Sequence, residues 1–274
     1  MKLGYMTNAF GKLVGDGGGV QNIKDVHYVT LCEMDDAIKK IAKEGYKYIE
    51  IFDGNLQQYE NNVTELKNIL SKYSVDILGV YLAGFFIYDD ALEEELARIE
   101  KTVLLAKEFN IKHVVVGGGS VRLSGIKEGD AKKLGKALDK VAAVIEKHGL
   151  IPSYHPHLGS IAEKTKEIDE VFASSSINFC PDIAHLVAGG SDALSLIKKY
   201  LNRIKYVHLK DLSSEGEFVP LGKGIINLVE IIEYLQSNNY TGDYLVEIDG
   251  YSGDAVEACS TSYDFLKKHL MFDA

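Results

Sequence analysis

Long apolar runs are missing from this 274-residue sequence, and no stretch approaches the roughly 20 residues that a membrane-spanning helix needs. Met1-Lys2-Leu3-Gly4 leads straight into a strand-like segment, without the apolar core of a signal peptide. A cytoplasmic protein with no membrane partner is the expectation. Cysteine is scarce: Cys32, Cys180 and Cys259 are odd in number and far apart, which argues for reduced thiols rather than a disulfide framework. Positive charge is in deficit as well. With 40 acidic residues against 30 basic ones the chain carries a formal charge of −10, which speaks against a nucleic-acid partner, because phosphate contact needs a basic face. Linkers are also lacking, since no Pro-, Gly- or Ser-rich stretch or shift of composition divides the chain. What remains is an ordinary globular composition, 46% hydrophobic and 26% charged, sufficient for one sizeable core.

Strand and helix signals alternate from end to end. Period-two apolar patterns mark strands at Lys2–Met6, Tyr46–Phe52, Asp76–Leu82, His113–Val116, Leu150–His155, Ile177–Cys180, Ile204–Lys210 and Tyr244–Ile248. Helical spacing marks Asp35–Lys43, Val63–Lys72, Ala91–Phe109, Asp130–His148, Ala162–Ala173, Asp192–Tyr200, Asn227–Gln236 and Asp254–Leu270. Eight strand–helix units predict a single α/β domain over residues 1–274, a (β/α)8 TIM barrel, in preference to a doubly wound open sheet with its Gly-rich first turn. Chemistry in such a barrel belongs on the loops at the C-terminal ends of the strands.

Four of those ends carry imidazoles or carboxylates. Strand five ends Ser153-Tyr154-His155-Pro156-His157, and strand six Cys180-Pro181-Asp182 followed by His185. Strand seven ends with His208, Lys210 and Asp211, with Val207 and Leu209 turned to the helices. On strand eight Glu247 points inward between Val246 and Ile248. Neighbouring strands lie about 4.8 Å apart, so side chains from four of them can converge on one ion. Two His, one Asp and one Glu suit Mn²⁺, Co²⁺, Zn²⁺ or Fe²⁺ better than Ca²⁺, with Mg²⁺ admissible. Glu50 lies inward on strand two and Asn8 follows strand one, and both invite a role in holding substrate hydroxyls, although a paired structural Glu50 is the plain alternative. The Gly-rich stretch at 7–25, with Gly15-Asp16-Gly17-Gly18-Gly19, matches no phosphate-binding motif and reads as an active-site lid. His113 and His148 read as packing or surface residues, and Glu93-Glu94-Glu95 as a solvated helix start.

The segments Asp182-x-x-His185, Tyr206-Val207-His208-Leu209-Lys210-Asp211, Pro220-Leu221-Gly222-Lys223-Gly224, Val246-Glu247 and Tyr48-Ile49-Glu50-Ile51-Phe52-Asp53-Gly54 resemble the xylose-isomerase-like sugar isomerase/epimerase superfamily. The likeness runs in order over almost the whole chain. It implies one divalent cation held by strands five to eight, with Asp182, His208 and Glu247 on three of the ligand positions. The fourth departs. Epimerases of the family place a Glu on strand five, paired with the strand-eight Glu as acid and base; Ser153 stands there instead, in a segment more like the inosose-dehydratase branch. His157 or His155 then completes the set, His157 being favoured because its loop lets it swing inward, with His155 facing substrate. The resemblance implies a metal-dependent isomerase or epimerase of a small sugar or keto-polyol, with Glu247 as base, an enediolate, and His185, His155 or Lys210 as second acid–base group. Asp211 joins His155, Glu50 and Asn8 as substrate-binding candidates. An inosose-type dehydratase is the near alternative, and a non-catalytic sugar-binding protein the alternative of another class. Endonuclease IV would call for more His and Glu and a basic surface. Barrels of this kind often pair through outer helices, so a homo-oligomer is admissible.

Overall fold

The computed structural model of the protein describes residues 1–14 and 26–270. Its central sheet has eight parallel strands: β1 (Leu3–Met6), β2 (Tyr48–Phe52), β3 (Asp76–Gly84), β4 (His113–Gly118), β5 (Ile151–Tyr154), β6 (Asn178–Phe179), β7 (Tyr206–Leu209) and β8 (Asp243–Val246). They pair in the order β6-β5-β4-β3-β2-β1-β8-β7. The two ends of that order meet through parallel bridges Phe179–Ile204 and Asp182–His208, and the His208 N–H donates to the Pro181 carbonyl at 3.0 Å. The expected barrel is therefore closed, and its closure seam runs directly beneath two of the candidate ligands.

Among the described residues eight helices cover the outside: α1 (Met34–Lys43), α2 (Val63–Tyr73), α3 (Leu92–Glu108), α4 (Asp130–Glu146), α5 (Thr165–Ser174), α6 (Ala193–Tyr200), α7 (Leu228–Ser237) and α8 (Ala255–His269). In α1 the acidic residues Asp35 and Asp36 lie in the first turn and Lys40 and Lys43 in the last, matching the helix dipole. Its apolar stripe of Met34, Ala37, Ile38 and Ile41 is buried, and the chain leaves through Gly45 at φ +106°. Val207 and Leu209 pack in the shell between strands and helices, whereas Met6, Phe52, Leu78, Tyr81, Tyr206 and Leu245 fill the barrel interior. That split is the strand alternation read from sequence, now on two sides of a closed wall.

Several elements went beyond the periodicity. Lys12–Val14 pairs antiparallel with Val29–Leu31, and Asp211–Leu212 with Phe218–Val219, as small ribbons on the mouth. Two short helices, Asp53–Gln57 and Ile183–Ala188, follow β2 and β6. The lid expected at 7–25 thus begins with a 3₁₀ turn and a strand, and its Gly15–Gly19 run lies outside the described residues. The acidic run at the start of α3 is divided. Glu95 is buried rather than solvated, and its carboxylate accepts the N–H groups of Phe85 and Phe86, fixing Phe86 at φ +61°. The three cysteines are free thiols, as expected.

At the opposite end of the barrel Asp243 accepts the Lys2 N–H at 3.0 Å, Lys112 Nζ at 2.6 Å and His113 Nε2 at 2.9 Å. His113 is a packing residue, buried and stacked on Tyr206 at 4.3 Å between ring centroids. Burial works to raise the Asp243 pKa, but the hydrogen bonds from His113, Lys112 and Lys2 outweigh it and hold the carboxyl well below the ordinary range. A depressed carboxyl stabilises the fold above its unfolded pKa of about 3.9 and loses that contribution as the pH falls through the folded value. Asp243→Asn should cost about 1.5–3 kcal/mol at pH 7, the worth of hydrogen bonds to a charged group, and progressively less below pH ~4. Urea melts at pH 7 and pH 3 measure this; an equal deficit at both would count against the ion-pair account.

Candidate active site at the barrel mouth

The site is built where β5 to β8 end. Asp182 caps the short helix Ile183–Ala188, its Oδ1 accepting the His185 N–H at 2.9 Å, and this places the His185 ring one turn above the carboxylate. Asp182 Oδ2 accepts from Lys210 Nζ at 3.0 Å. His208 lies between two acids, with Nδ1 2.7 Å from Glu247 Oε2 and Nε2 3.4 Å from Glu50 Oε1. Glu50 has room for its carboxylate because β3 carries Gly79: a Cβ there would stand 2.5 Å from Glu50 Oε2. Asp182, His185, Lys210, His208, Glu247 and Glu50 are all essentially removed from solvent.

Lys210 is the hub. Its ammonium lies 2.7 Å from Asp249 Oδ2, 2.9 Å from His185 Nε2 and 3.5 Å from Glu247 Oε2 besides the bond to Asp182. The Phe218 ring covers it at 4.7 Å. Burial opposes the charge, but Asp182, Asp249 and Glu247 outweigh it and drive the lysine pKa above its ordinary value. Asp182 and Asp249 move the other way, well below the ordinary range, because Lys210 and His185 overcome their desolvation. Glu247 differs. Desolvation and the neighbouring Asp249 raise its pKa against the pull of Lys210 and His208.

Asp249 is the residue that sequence reasoning passed over. It holds Lys210, faces His185 at 3.3 Å, and accepts from Asn8 Nδ2 at 2.6 Å. The signal was available, since Asp249 follows Glu247 by two residues and shares its inward face. Asn8 also reaches Glu247 Oε1 at 3.4 Å, so it ties the two acids of strand eight together.

The histidines fall into two groups. His155 is fully buried with its ring 5.0 Å from His208; the His157 ring lies 4.0 Å from that of His185, tilted by 38°. Burial first, and neighbouring cationic groups second, hold the His155 pKa well below normal and bring that of His157 down to about 4. Both are neutral near pH 7, the state a metal ligand requires. His157 Nδ1 donates to the Leu158 carbonyl at 2.8 Å, which leaves Nε2 as an open acceptor. For His208, burial is outweighed by its neighbours Cys180, Glu50 and Glu247, and its pKa lies well above normal.

One candidate is spent elsewhere. Asp211 accepts the N–H groups of Leu212, Gly222, Gly224 and Ile226, and a Cβ at Gly224 would collide with its carboxylate. It fastens the Pro220–Gly224 loop to the end of β7. The sequence could not show this, because an inward acid and a loop-fastening acid look alike in the pattern.

Donor atoms of Asp182, His208 and Glu247 lie within 4.8 Å of one another, as do those of His155, His157 and His185. A cation with ligand bonds of roughly 2.0–2.2 Å draws such atoms together with little movement, and the mixed N/O set fits a borderline divalent ion. Beside these residues a cavity of about 180 Å³ opens to the surface, lined by the aromatic rings of Tyr28, Phe52 and Tyr81 and by the polar groups of His157, Glu247 and Asp249. Aromatic surface combined with a few convergent polar groups is the character of a small-molecule site.

The barrel and its ring of acids and imidazoles define a class, and the comparisons agree. A family model described as xylose isomerase-like TIM barrel matches residues 38–269, and the chain belongs to this family. Among curated relatives, an inosose dehydratase of Clostridium perfringens is 30% identical over 248 residues, covering 78% of this chain and 82% of the relative. That of Clostridium beijerinckii is 28% identical over 251 residues with the same coverage. Among solved structures, the IOLI protein with a bound zinc atom superposes with a TM-score of 0.75 at 19% identity, covering 99% of this chain and 100% of that one. The probable 3-DHS dehydratase AsbF of Bacillus anthracis gives 0.74 at 17% identity over 97% and 99%. At such identities the structural likeness speaks for the fold. No described helix is long and apolar enough to cross a membrane.

Proposed function

We propose that this protein is a divalent-metal-dependent dehydratase of a small keto-polyol, of the inosose type. The observation that carries the reading is the one-sided acid–base arrangement. Ser153, fully buried and without a hydrogen-bond partner for its Oγ, stands where an epimerase would place the second carboxylate. Asp182 and Asp249 both hold Lys210, and Glu50 stands behind His208 and does not line the cavity, so Glu247 is the carboxylate left to take a carbon-bound proton. Two-faced proton transfer, which epimerisation needs, lacks a partner here. The inosose dehydratases among the relatives support the same choice.

Asp182, His208 and Glu247, with His157 or His155, would hold the cation, which would polarise the substrate carbonyl and neighbouring hydroxyl as a Lewis acid. Glu247 takes the proton α to the carbonyl, and the electron pair moves into an enediolate. The C–O bond at the β-carbon then breaks, a C=C bond forms, and the leaving hydroxyl departs as water. His185 is placed to supply that last proton: Nε2 accepts from Lys210, so Nδ1 carries the hydrogen, and Nδ1 has no protein partner. Glu247, Lys210 and His185 lie in sequence at 3.5 and 2.9 Å, so the α-proton can return to the leaving group through the ammonium, and no external acid is consumed.

In D₂O, a panel of inososes and ketoses with Mn²⁺ or Co²⁺ should show loss of water and appearance of an enone chromophore from an inosose. Solvent deuterium appearing in an isomerised ketose, without water loss, would replace the dehydratase reading by the isomerase or epimerase one. Neither exchange nor dehydration with any substrate would sink both.

A further inference from the structure

Cys180 takes no part in the reaction above, yet it is fully buried just past the end of β6, among the side chains that fill the barrel interior. One donor atom each from His155, Cys180 and His208 lie within 4.8 Å of one another, on three adjacent strand ends. The two imidazoles are 1% and 0% exposed; His155 Nδ1 makes no hydrogen bond, and neither does His208 Nε2, which has the Glu50 carboxylate near it at 3.4 Å. Unpaired donors in so dry a place are costly unless something uses them. Unlike the Asp182–His208–Glu247 set, this one contains sulfur and nitrogen only. Such ligands select thiophilic ions, Zn²⁺, Cd²⁺ or Co²⁺, over Mg²⁺ and Mn²⁺.

We propose that His155, Cys180 and His208 form a second, deeper cation site that shares His208 with the mouth site. Its donor set takes a thiophilic ion. Binding breaks the Cys180 S–H bond and the N–H bond of the His208 nitrogen that takes the ion, releases both protons to solvent and forms sulfur–metal and nitrogen–metal bonds with no change of oxidation state. His208 Nδ1 already faces Glu247 at 2.7 Å, so a sulfur-bound ion that turns the imidazole draws it away from Asp182 and Glu247. The two sites are therefore filled in competition: an oxygen-preferring ion supports the mouth set, and a thiophilic ion dismantles it. The competition, though not the site itself, rests on the metal reading proposed above.

The test is a titration of the metal-free full-length protein with Cd²⁺ or Co²⁺, followed by thiolate-to-metal charge-transfer absorption, a signal independent of turnover. One equivalent should develop the band in wild type and in Cys32→Ser, and none should develop in Cys180→Ser or Cys180→Ala. Prior saturation with Mn²⁺ should raise the Cd²⁺ concentration for half the band at least several-fold. No band in the wild-type protein, or a band that survives both Cys180 substitutions, overturns the site without reference to how the variants fold. A band indifferent to Mn²⁺ overturns the sharing of His208. Inosose turnover under Mn²⁺, assayed separately, shows whether the functional reading stands.

Discussion

Glu247→Gln should lower kcat by about 10²–10⁴-fold, the usual worth of a positioned general base, while KM changes little and metal binding is weakened but not lost. The substitution keeps the shape of the side chain and one oxygen. That oxygen can still accept from His208 Nδ1, now 2.7 Å from Oε2, and can still serve a cation. What disappears is the capacity to hold the α-proton. Steady-state kinetics with metal analysis of the purified variant separate the two roles. Wild-type turnover in Glu247→Gln would mean that another group removes the proton.

Lys210→Met should be the most damaging single change to the fold of the site. It leaves Asp182, Asp249 and Glu247 buried around a vanished ammonium that stood 3.0, 2.7 and 3.5 Å from them. Removing one partner of a buried charge cluster costs about 3–5 kcal/mol. The sign follows from the shifts. The depressed carboxyls Asp182 and Asp249 give stability above their unfolded pKa and lose it as pH falls through the folded values. Lys210, with its raised pKa, gives stability below its unfolded value and loses it only in strong alkali. Near pH 7 the variant therefore carries the full deficit, and protonation of the stranded acids should shrink it below pH ~5. Mn²⁺ should stabilise Lys210→Met more than wild type, since a dication can answer the same carboxylates. Denaturant melts at pH 7 and pH 4.5, with and without Mn²⁺, check this. A deficit that is unchanged by both pH and metal would show that packing against Phe218, not charge, is what Lys210 provides.

Much of this protein was legible as one-dimensional pattern. Alternation in β7 separated Val207 and Leu209, which pack against helices, from Tyr206, His208 and Lys210, which face inward. The α1 stripe and its stop at Gly45 were equally plain. Period two and period 3.6 are local properties, so they survive without knowledge of any partner. Element edges were less secure, as the shorter β6 and later start of α5 show, because hydrogen bonding to neighbours decides where a strand or helix ends.

Which inward groups meet is a different matter, because it depends on how neighbouring strands are staggered around the closed wall. Alternation nominated Glu247, and equally Asp249, but only the register of β8 against β7 brings Asp249 within 2.7 Å of Lys210. It nominated Asp211, and the fold of the following loop used that carboxylate for four N–H groups. It passed over Cys180, which becomes notable only beside His155 and His208. Composition and periodicity thus settled by themselves that the chain is a barrel with acids and imidazoles on one rim. The pairing of those groups into a base, an ammonium hub and two metal-ligand sets was decided by strand stagger and barrel closure, which bring together residues from opposite ends of the chain.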